Sequence, residues 1–389
     1  MLSSATLDFA WQHRHEDTTR LLLGKVPKGV DMKGAAQQIE GWQAARTKWP
    51  SLSANPLLIY PPRLNREQAS SEATATYKAS LMSTIKVADL TGGMGIDTMA
   101  LAAKSKQVDY FELNAELCHL MQHNTESLGI NNITVHNEDG LSACGTYDLA
   151  LIDPARRDAS GRRVTAFEDC TPDILSAMPR LQQITRRLMI KASPMVDIAL
   201  ALKQLPPVSE LHIVAIRGEC KELLFIIEFG QTQTEPKFHC VNLQSGSTAL
   251  SFLPSEARAA EATVLQSNVP TSGYLFDPDA TIMKAGCHAL VASLYGLSLL
   301  GHNSHLYYGT QPIEDFPGRV FEIIAETALT RHAIAPLLPD GKANIISRNH
   351  PVAADTLRRQ LHIADGGDLY LIATTVAAHH TAFVCSRRH

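Results

Sequence analysis

The feature that most constrains this chain is a glycine-rich turn that joins an apolar strand to a helix within residues 87–98. Gly92, Gly93 and Gly95 let the backbone turn sharply and approach a ligand without a Cβ atom in the way. A dinucleotide-binding loop has a third glycine at the position where Thr98 stands, so the spacing disfavours NAD. The turn therefore predicts a nucleotide-cofactor site of another kind.

Acidic residues at the ends of two consecutive predicted strands indicate what the turn binds. Asp89 ends the first strand, where its charge would repel a pyrophosphate but attract the amine of an amino acid. Glu112 ends the second strand, where it can accept hydrogen bonds from two ribose hydroxyls. S-adenosylmethionine (SAM) has the amine and the ribose and lacks phosphates, so it is the predicted cofactor. Asp97 or Thr98 can cap the helix that follows the turn. The alternative is a tight strand-to-helix turn without a ligand.

The alternation of strands and helices continues beyond this turn. Further strands are predicted at 133–139, 147–153 and 187–194, followed by an antiparallel pair at 210–217 and 222–229. This order predicts an α/β fold with a Rossmann-like core.

Two of the later strands also end in acids. Asp139 can accept a hydrogen bond from the exocyclic amine of adenine, and Asp153 follows the fourth strand. Ligands of open α/β sheets bind beyond the carboxyl ends of the strands. The predicted site is therefore assembled from Asp89, Glu112, Asp139 and Asp153.

Five motifs extend these observations to a known family. They lie at 89–97, 153–156, 219–224, 313–319 and 365–371. On these motifs, the core at 86–231 resembles a class I SAM-dependent methyltransferase. The whole chain resembles the bacterial methyltransferase family that has a ferredoxin-like segment and a THUMP-like domain at its C-terminus.

The resemblance implies a SAM-dependent methyltransferase and assigns roles to residues. The first-strand loop holds the methionine part of SAM, and the acid after the second strand holds the ribose. With the strand-end acids included, the predicted SAM-binding residues are Asp89, Thr91, Gly92, Gly93, Gly95, Asp97, Glu112 and Asp139. The motif after the fourth strand faces the methyl acceptor, so the predicted catalytic residues are Asp153, Pro154 and Arg156.

The motif after the fourth strand also bears on the acceptor. Enzymes that methylate amines have Asn/Asp-Pro-Pro-aromatic there, whose oxygens accept the hydrogens of an exocyclic amine. This chain keeps Asp153 and Pro154 but has Ala155 and Arg156 in place of the proline and the aromatic residue. Arg156 can stack on a base or hold a phosphate. Amine methylation is predicted and the choice of base stays open; alternatively, Asp153 caps a turn or contacts the cofactor.

Three further residues bear on the chemistry of the site, Cys220, Tyr77 and Lys78. Methylation of a pyrimidine carbon normally requires a cysteine nucleophile, and Cys220 is the candidate. We expect Cys220 to be a turn or packing residue. In the resembled family, the segment that contains Tyr77 and Lys78 flanks the cofactor cleft. Contact with the ligand is one role for these two residues, and packing is the expected one.

Composition favours an enzyme of the cytoplasm. The seven cysteines include no Cys-x-x-Cys pair, so neither a disulfide framework nor a zinc site is expected. No apolar run is long enough to cross a bilayer, and no secretory signal pattern is present. We therefore expect a cytoplasmic protein without metal or membrane association.

Structured RNA is the predicted partner, and DNA is not expected. The formal net charge of -4 is unlike that of most nucleic-acid proteins, but arginine pairs at 156–157 and 162–163 follow the acceptor motif. The C-terminal region resembles THUMP domains, which deliver structured RNA to a linked modification site. The predicted substrate is thus a base, at an exocyclic amine, of rRNA or tRNA.

The chain is predicted to have four parts. They are an N-terminal helical region at 1–84, the methyltransferase core at 85–231, connecting strands with a ferredoxin-like α+β segment at 232–318, and the THUMP-like domain at 319–389. In the first part, Asn65 and Gln68 form a capping-box pattern before a helix. Two alternatives to an RNA methyltransferase remain: a catalytically inactive scaffold that binds RNA or protein, and a methyltransferase for proteins or small molecules.

Overall fold

The computed structural model describes residues 2–82, 85–156, 167, 170–231, 235–244, 247–265, 271–301, 304–376 and 379–388. The chain divides into two compact units, which are Met1–Glu210 with Glu222–Thr234, and Leu211–Lys221 with Glu235–His389. Among the residues just given, no helix has both the length and the apolar character to span a membrane.

The first unit begins with five helices, as the sequence predicts. They are α1 (Ser4–Gln12), α2 (Thr18–Leu22), α3 (Met32–Lys48), α4 (Arg63–Gln68) and α5 (Glu72–Ser80). The predicted capping box is wrong, because Asn65 and Gln68 lie inside α4. The N-cap of α5 is Ser71, whose hydroxyl accepts a hydrogen bond from the backbone N–H of Thr74 at 3.2 Å.

Strands and helices then alternate through the rest of the first unit. They are β1 (Lys86–Asp89), α6 (Ile96–Ala102), β2 (Gln107–Phe111), α7 (Ala115–Leu128), β3 (Ile133–His136), β4 (Tyr147–Ile152), β5 (Ala155–Arg156), β6 (Cys170–Thr171), α8 (Ile174–Ile184), β7 (Thr185–Ala192) and α9 (Ile198–Gln204). The ends of α7 follow the local sequence: Asn114 accepts hydrogen bonds from two backbone N–H groups, and Gly129 ends the helix with a φ of 68°.

The sheet of the first unit confirms the predicted Rossmann-like topology. Its parallel strands have the order β7-β4-β1-β2-β3. Residues 223–228 of β9 (Glu219–Glu228) pair antiparallel with β7. The strand order reverses between β1 and β4, which is where open α/β sheets bind ligands. This switch point brings the ends of β1 and β4 together.

Apolar strand residues anchor this edge of the sheet. Val87, Leu149 and Met189 are fully buried in one core cluster with Leu101 of α6. Burying each such side chain contributes about 1.5 to 3 kcal/mol. The strand ends that present the functional residues are therefore held on a rigid scaffold.

The second unit contains the remaining elements. Along the chain after β8 (Glu210–Ile216) and the start of β9, they are β10 (Lys237–Asn242), β11 (Ser247–Phe252), α10 (Pro254–Ala259), β12 (Thr263–Val264), β13 (Tyr274–Pro278), α11 (Ala280–Ala285), α12 (His288–Tyr295), β14 (Ser298–Leu299), β15 (Tyr307–Gly309), β16 (Gly318–Thr327), α13 (Arg331–Ile334), β17 (Asn344–Ser347), α14 (Ala354–Leu361), β18 (Leu369–Val376) and β19 (His379–Arg387). The predicted C-terminal α+β architecture is confirmed.

An eight-stranded mixed sheet forms the centre of the second unit, in the order β12-β14-β15-β13-β16-β19-β18-β17. Two separate apolar clusters lie against it: one contains Phe321 and Phe383, and the other contains Leu357 and Leu361 of α14. Successive buried residues of β19 face opposite sides of the sheet, so Phe383 and Cys385 belong to the first cluster and Ala382 and Val384 to the second.

Candidate functional site

Backbone and side-chain hydrogen bonds tie the loops after β1 and β4 to each other. The backbone N–H of Leu90 donates to the carbonyl of Leu151 at 2.9 Å. The backbone N–H of Asp153 donates to the Thr91 hydroxyl oxygen at 2.7 Å. The predicted cofactor loop and the predicted acceptor motif are thus adjacent.

The three glycines of the loop after β1 lie in different surroundings, and these explain why each position is glycine. A Cβ on Gly92 would lie 2.0 Å from the Tyr110 ring, and one on Gly95 would lie 2.3 Å from the Met121 sulfur. Both glycines are therefore required by packing. Gly93 has a φ of 55° and no neighbour closer than 3.8 Å to a Cβ, so its backbone is the part of the loop with room for a ligand.

Asp89 is almost fully buried, at 2% exposure, below this loop. Its carboxylate accepts hydrogen bonds from the Thr98 hydroxyl at 2.6 Å and from the backbone N–H of Thr91 at 3.2 Å. Burial raises the pKa of Asp89 to about 7, although both hydrogen bonds oppose the shift. A ligand amine would favour the ionised form of this carboxyl.

The expected capping roles of Asp97 and Thr98 are wrong. The N-cap of α6 is Gly95, with a φ of 80°, and both residues lie inside the helix. Thr98 instead bonds to Asp89, and Asp97 accepts a hydrogen bond from the Ser70 hydroxyl at 2.7 Å. Gly95 can begin the helix without a side-chain cap because its left-handed φ allows the turn.

The acids after β2 and β3 lie on the same edge of the sheet. Glu112 is half-buried, and its two oxygens accept hydrogen bonds from the backbone N–H groups of Gly93 at 2.9 Å and Asn114 at 2.8 Å. The third strand ends at His136 and not at the predicted Asp139. Asp139 therefore lies beyond the strand, exposed, and its carboxylate accepts a hydrogen bond from the backbone N–H of Leu141 at 2.9 Å.

The acceptor motif places Asp153 next to a lysine that sequence reasoning missed. The Asp153 carboxylate forms a direct ion pair with the Lys191 ammonium near the end of β7. Pro154 follows, and Ala155 and Arg156 form β5, which pairs with β6. The Arg156 side chain and the arginines at 157, 162 and 163 lie outside the described residues, so their roles stay predictions.

Two further charged residues join this site. Lys78 of α5 is fully buried, and its ammonium lies 2.8 and 2.9 Å from the two Glu222 oxygens and 3.1 Å from Asp97. Glu222 is 4% exposed in its side chain. Packing was the expected role of Lys78, and the contacts show a buried ion pair instead. Lys78 and Glu222 are 144 residues apart along the chain, so no local sequence pattern could predict that they pair.

Cys220, the candidate for covalent chemistry, is a half-buried residue of β9. Its expected role as a turn or packing residue remains a prediction.

The residues at the β1 and β2 ends fit SAM. Gly93 offers backbone next to open space, Asp89 offers a buried negative charge, and Glu112 offers carboxylate oxygens within reach of the same loop. These residues would hold the methionine amine and the ribose. When bound, SAM supplies an electrophilic methyl group.

Comparisons with known proteins show what this chain is similar to. A ferredoxin-like domain model matches residues 274–317, and a THUMP domain-like model matches residues 318–387. A crystal structure of a Porphyromonas gingivalis protein assigned as a methyltransferase is similar over 99% of this chain and 98% of that chain, with 32% identity and a TM-score of 0.86.

Two uncharacterised SAM-dependent methyltransferases, from two strains of Mycobacterium tuberculosis, are also similar. Each is 23% identical over 326 residues, which cover 82% of this chain and 86% of the relative. The fold and the site define a SAM-dependent methyltransferase. The chain belongs to the methyltransferase family that has ferredoxin-like and THUMP-like domains at its C-terminus.

Proposed function

We propose that this enzyme methylates structured RNA, rRNA or tRNA, in the cytoplasm. The observation that carries the proposal is the THUMP domain-like match at 318–387, on the same chain as the methyltransferase core. Domains of this kind deliver structured RNA to a linked modification site. The seven cysteines, all thiols, fit a reducing compartment.

We propose the following roles at the site. Asp89, Thr91, Gly92, Gly93, Gly95 and Asp97 shape the pocket for the methionine part of SAM, Glu112 holds the ribose, and Asp139 holds the adenine. Asp153, Pro154 and Arg156 face the acceptor. The hydrogen bond between Thr91 and Asp153 supports this division, because it joins the two halves of the site.

The domain boundaries are part of the proposal. The four parts at 1–84, 85–231, 232–318 and 319–389 would serve, in order, as a flank of the cofactor cleft, the catalytic core, a connector and an RNA-presenting domain. An exocyclic amine of a base is the acceptor that the Asp153-Pro154 motif predicts.

Full-length protein with deuterium-labelled SAM and total RNA from a strain that lacks the gene tests the substrate class. Mass spectrometry of the digested RNA should show one labelled nucleoside. Asp153→Ala should abolish labelling while calorimetry shows nearly unchanged SAM affinity. Label in protein or small molecules, with none in RNA, would favour the protein or small-molecule alternative. No transfer to any acceptor would favour the inactive scaffold.

A further inference from the structure

The charged cluster at the acceptor motif has a buried end and an accessible end. The side-chain exposures are 0% for Lys78, 4% for Glu222, 12% for Asp97, 13% for Lys191 and 38% for Asp153. Lys78 is occupied by its two carboxylate partners and cannot reach a substrate. The Asp153–Lys191 pair is the end that a substrate can contact.

The accessible lysine is held as an ammonium group. Burial alone would lower the pKa of Lys191, but Asp153, Asp97 and Glu222 together raise it above its usual range. Lys191 therefore carries a proton at neutral pH and acts as a hydrogen-bond donor. Lys78 neutralises charge at Asp97 and Glu222, and this keeps three carboxylates compatible in one buried cluster.

The pair presents one acceptor and one donor to its substrate. Asp153 Oδ2 accepts from Lys191, which leaves Oδ1 to accept from the acceptor group. The Lys191 ammonium has three N–H donors and no acceptor. A matching substrate atom must donate one hydrogen bond and accept another.

A hydroxyl meets this requirement and an exocyclic amine does not. A hydroxyl has one O–H donor and two lone pairs. An exocyclic amine has two N–H donors, and its lone pair is delocalised into the base. Its nitrogen therefore cannot accept a hydrogen bond from the Lys191 ammonium, and two donors would face each other. The Lys191 N–H donors that do not bond to Asp153 would then find no acceptor on the substrate.

We propose that the methyl acceptor is a ribose 2′-hydroxyl of RNA, with Lys191 as a catalytic hydrogen-bond donor and Asp153 as the proton acceptor. This inference rests on the proposed function. The 2′-hydroxyl is a donor and an acceptor present in every ribonucleotide and absent from DNA. Lys78, Asp97 and Glu222 are positioning residues. They orient the Asp153–Lys191 pair and keep Lys191 protonated.

The step balances in atoms and charge. The hydroxyl oxygen forms the new O–C bond with the methyl carbon while the S–C electron pair goes to the sulfonium sulfur. The hydroxyl proton passes to Asp153 Oδ1 and then to water. The Lys191 ammonium donates to the attacking oxygen and stabilises its negative charge as the O–H bond weakens.

Alkaline hydrolysis of labelled RNA distinguishes the acceptors. Full-length protein, deuterium-labelled SAM and total RNA from the deletion strain are the reactants. Methylation of a 2′-hydroxyl prevents cleavage of the adjacent phosphodiester, so label should appear in alkali-resistant dinucleotides. Label on a base would overturn this inference and leave RNA methylation standing. Absence of label from RNA would overturn both.

Lys191→Met tests the lysine. It should lower kcat about 100- to 1000-fold, as loss of a preorganised donor does, with unchanged KM for SAM and RNA. Lys191→Arg should recover part of kcat, because it restores a charged donor. The matched control is Lys221→Met, which removes an exposed lysine whose ammonium contacts Glu219 and should leave kcat unchanged.

Unchanged kcat in Lys191→Met would overturn the role of the lysine. If Lys191→Met does not fold, Asp153→Asn supplies the second test, since it keeps a hydrogen-bonding oxygen near Lys191 but cannot take the proton. Asp153→Asn with wild-type kcat would overturn the proposal.

Discussion

Each unit buries a carboxylate among cations, and the two clusters differ in composition and access. In the second unit, Asp277 of β13 is 1% exposed and pairs with Arg319 and Arg348, whose side chains are 37% and 34% exposed. In the first unit, both lysines are nearly buried, and a carboxylate, Asp153, is the most exposed member.

The difference separates a structural ion cluster from a reactive one. Arginine has a rigid fork of donors that fixes strand against strand, and here it links β13 to β16 and to the end of β17. Lysine is a compact charge with rotatable donors. In the first unit it leaves one carboxylate oxygen and N–H donors for a substrate. The predictions below test whether the two clusters differ in this way.

Lys78→Met should have the largest effect on stability. It leaves Glu222 buried without its main partner, which costs about 3 to 5 kcal/mol. The double variant Lys78→Met/Glu222→Leu should recover most of that loss and remain inactive. Denaturant unfolding of the two single variants and the double variant measures the free energy of unfolding. An equal loss of stability in all three variants would contradict a specific interaction between Lys78 and Glu222.

Asp277→Asn should lower the free energy of unfolding of the second unit by a smaller amount, about 1.5 to 3 kcal/mol. The effect is smaller because Arg319 and Arg348 can be solvated by water when they lose the Asp277 charge. SAM affinity should not change. Limited proteolysis and calorimetry measure the two quantities. A loss of SAM affinity would contradict the structural role.

The pH dependence of the cofactor site follows from Asp89. Its folded pKa of about 7 lies above the unfolded value near 4. Burying the charge therefore costs stability progressively as pH rises from about 4 to about 7, and Asp89→Asn should remove this dependence of Tm. Because a ligand amine prefers ionised Asp89, affinity for S-adenosylhomocysteine should be about tenfold weaker at pH 6 than at pH 8.

Calorimetry across this pH range checks the affinity. The matched control is Glu112→Gln, which should weaken binding at every pH and keep the trend. A trend that survives in Asp89→Asn would assign the titration to another group.

The smallest effect is expected from Arg358→Ala/Arg359→Ala on α14. If this helix contacts RNA phosphates, the affinity for RNA should fall several-fold. The slope of log K against log salt concentration should become less negative by about one to two. Gel-shift titrations at two salt concentrations measure both. Arg63→Ala, at an exposed arginine of α4, is the control; equal behaviour of both variants would remove α14 from the interface.

The parts of the fold that depend on local patterns were predictable. The βα alternation, the glycine turn and the helix from Asn114 to Gly129 each follow from residues close in sequence. The caps were less predictable, since Ser71 rather than Asn65 begins α5. Several polar residues near the start of a helix can act as its N-cap, and the residue that does so depends on where the first helical turn forms.

The charged cluster was not predictable from sequence. Lys78 lies on a helix outside the five motifs. Glu222 lies in the motif at 219–224, but nothing in that motif pairs it with a lysine 144 residues away. Only the antiparallel pairing of β9 with β7 brings Glu222 to the edge where Lys191 ends its strand. Lys191 itself lies near the end of β7, outside the five motifs.

The hydrogen bond from the Asp153 N–H to the Thr91 hydroxyl has a consequence for inhibitor chemistry. The peptide unit that presents the acceptor motif is fastened to the loop predicted to hold the methyl donor, so the spacing between donor and acceptor compartments is set by the protein. A bisubstrate compound that joins an adenosyl group to a nucleoside therefore gains from a stiff linker of one length, because a preorganised linker loses less conformational entropy on binding.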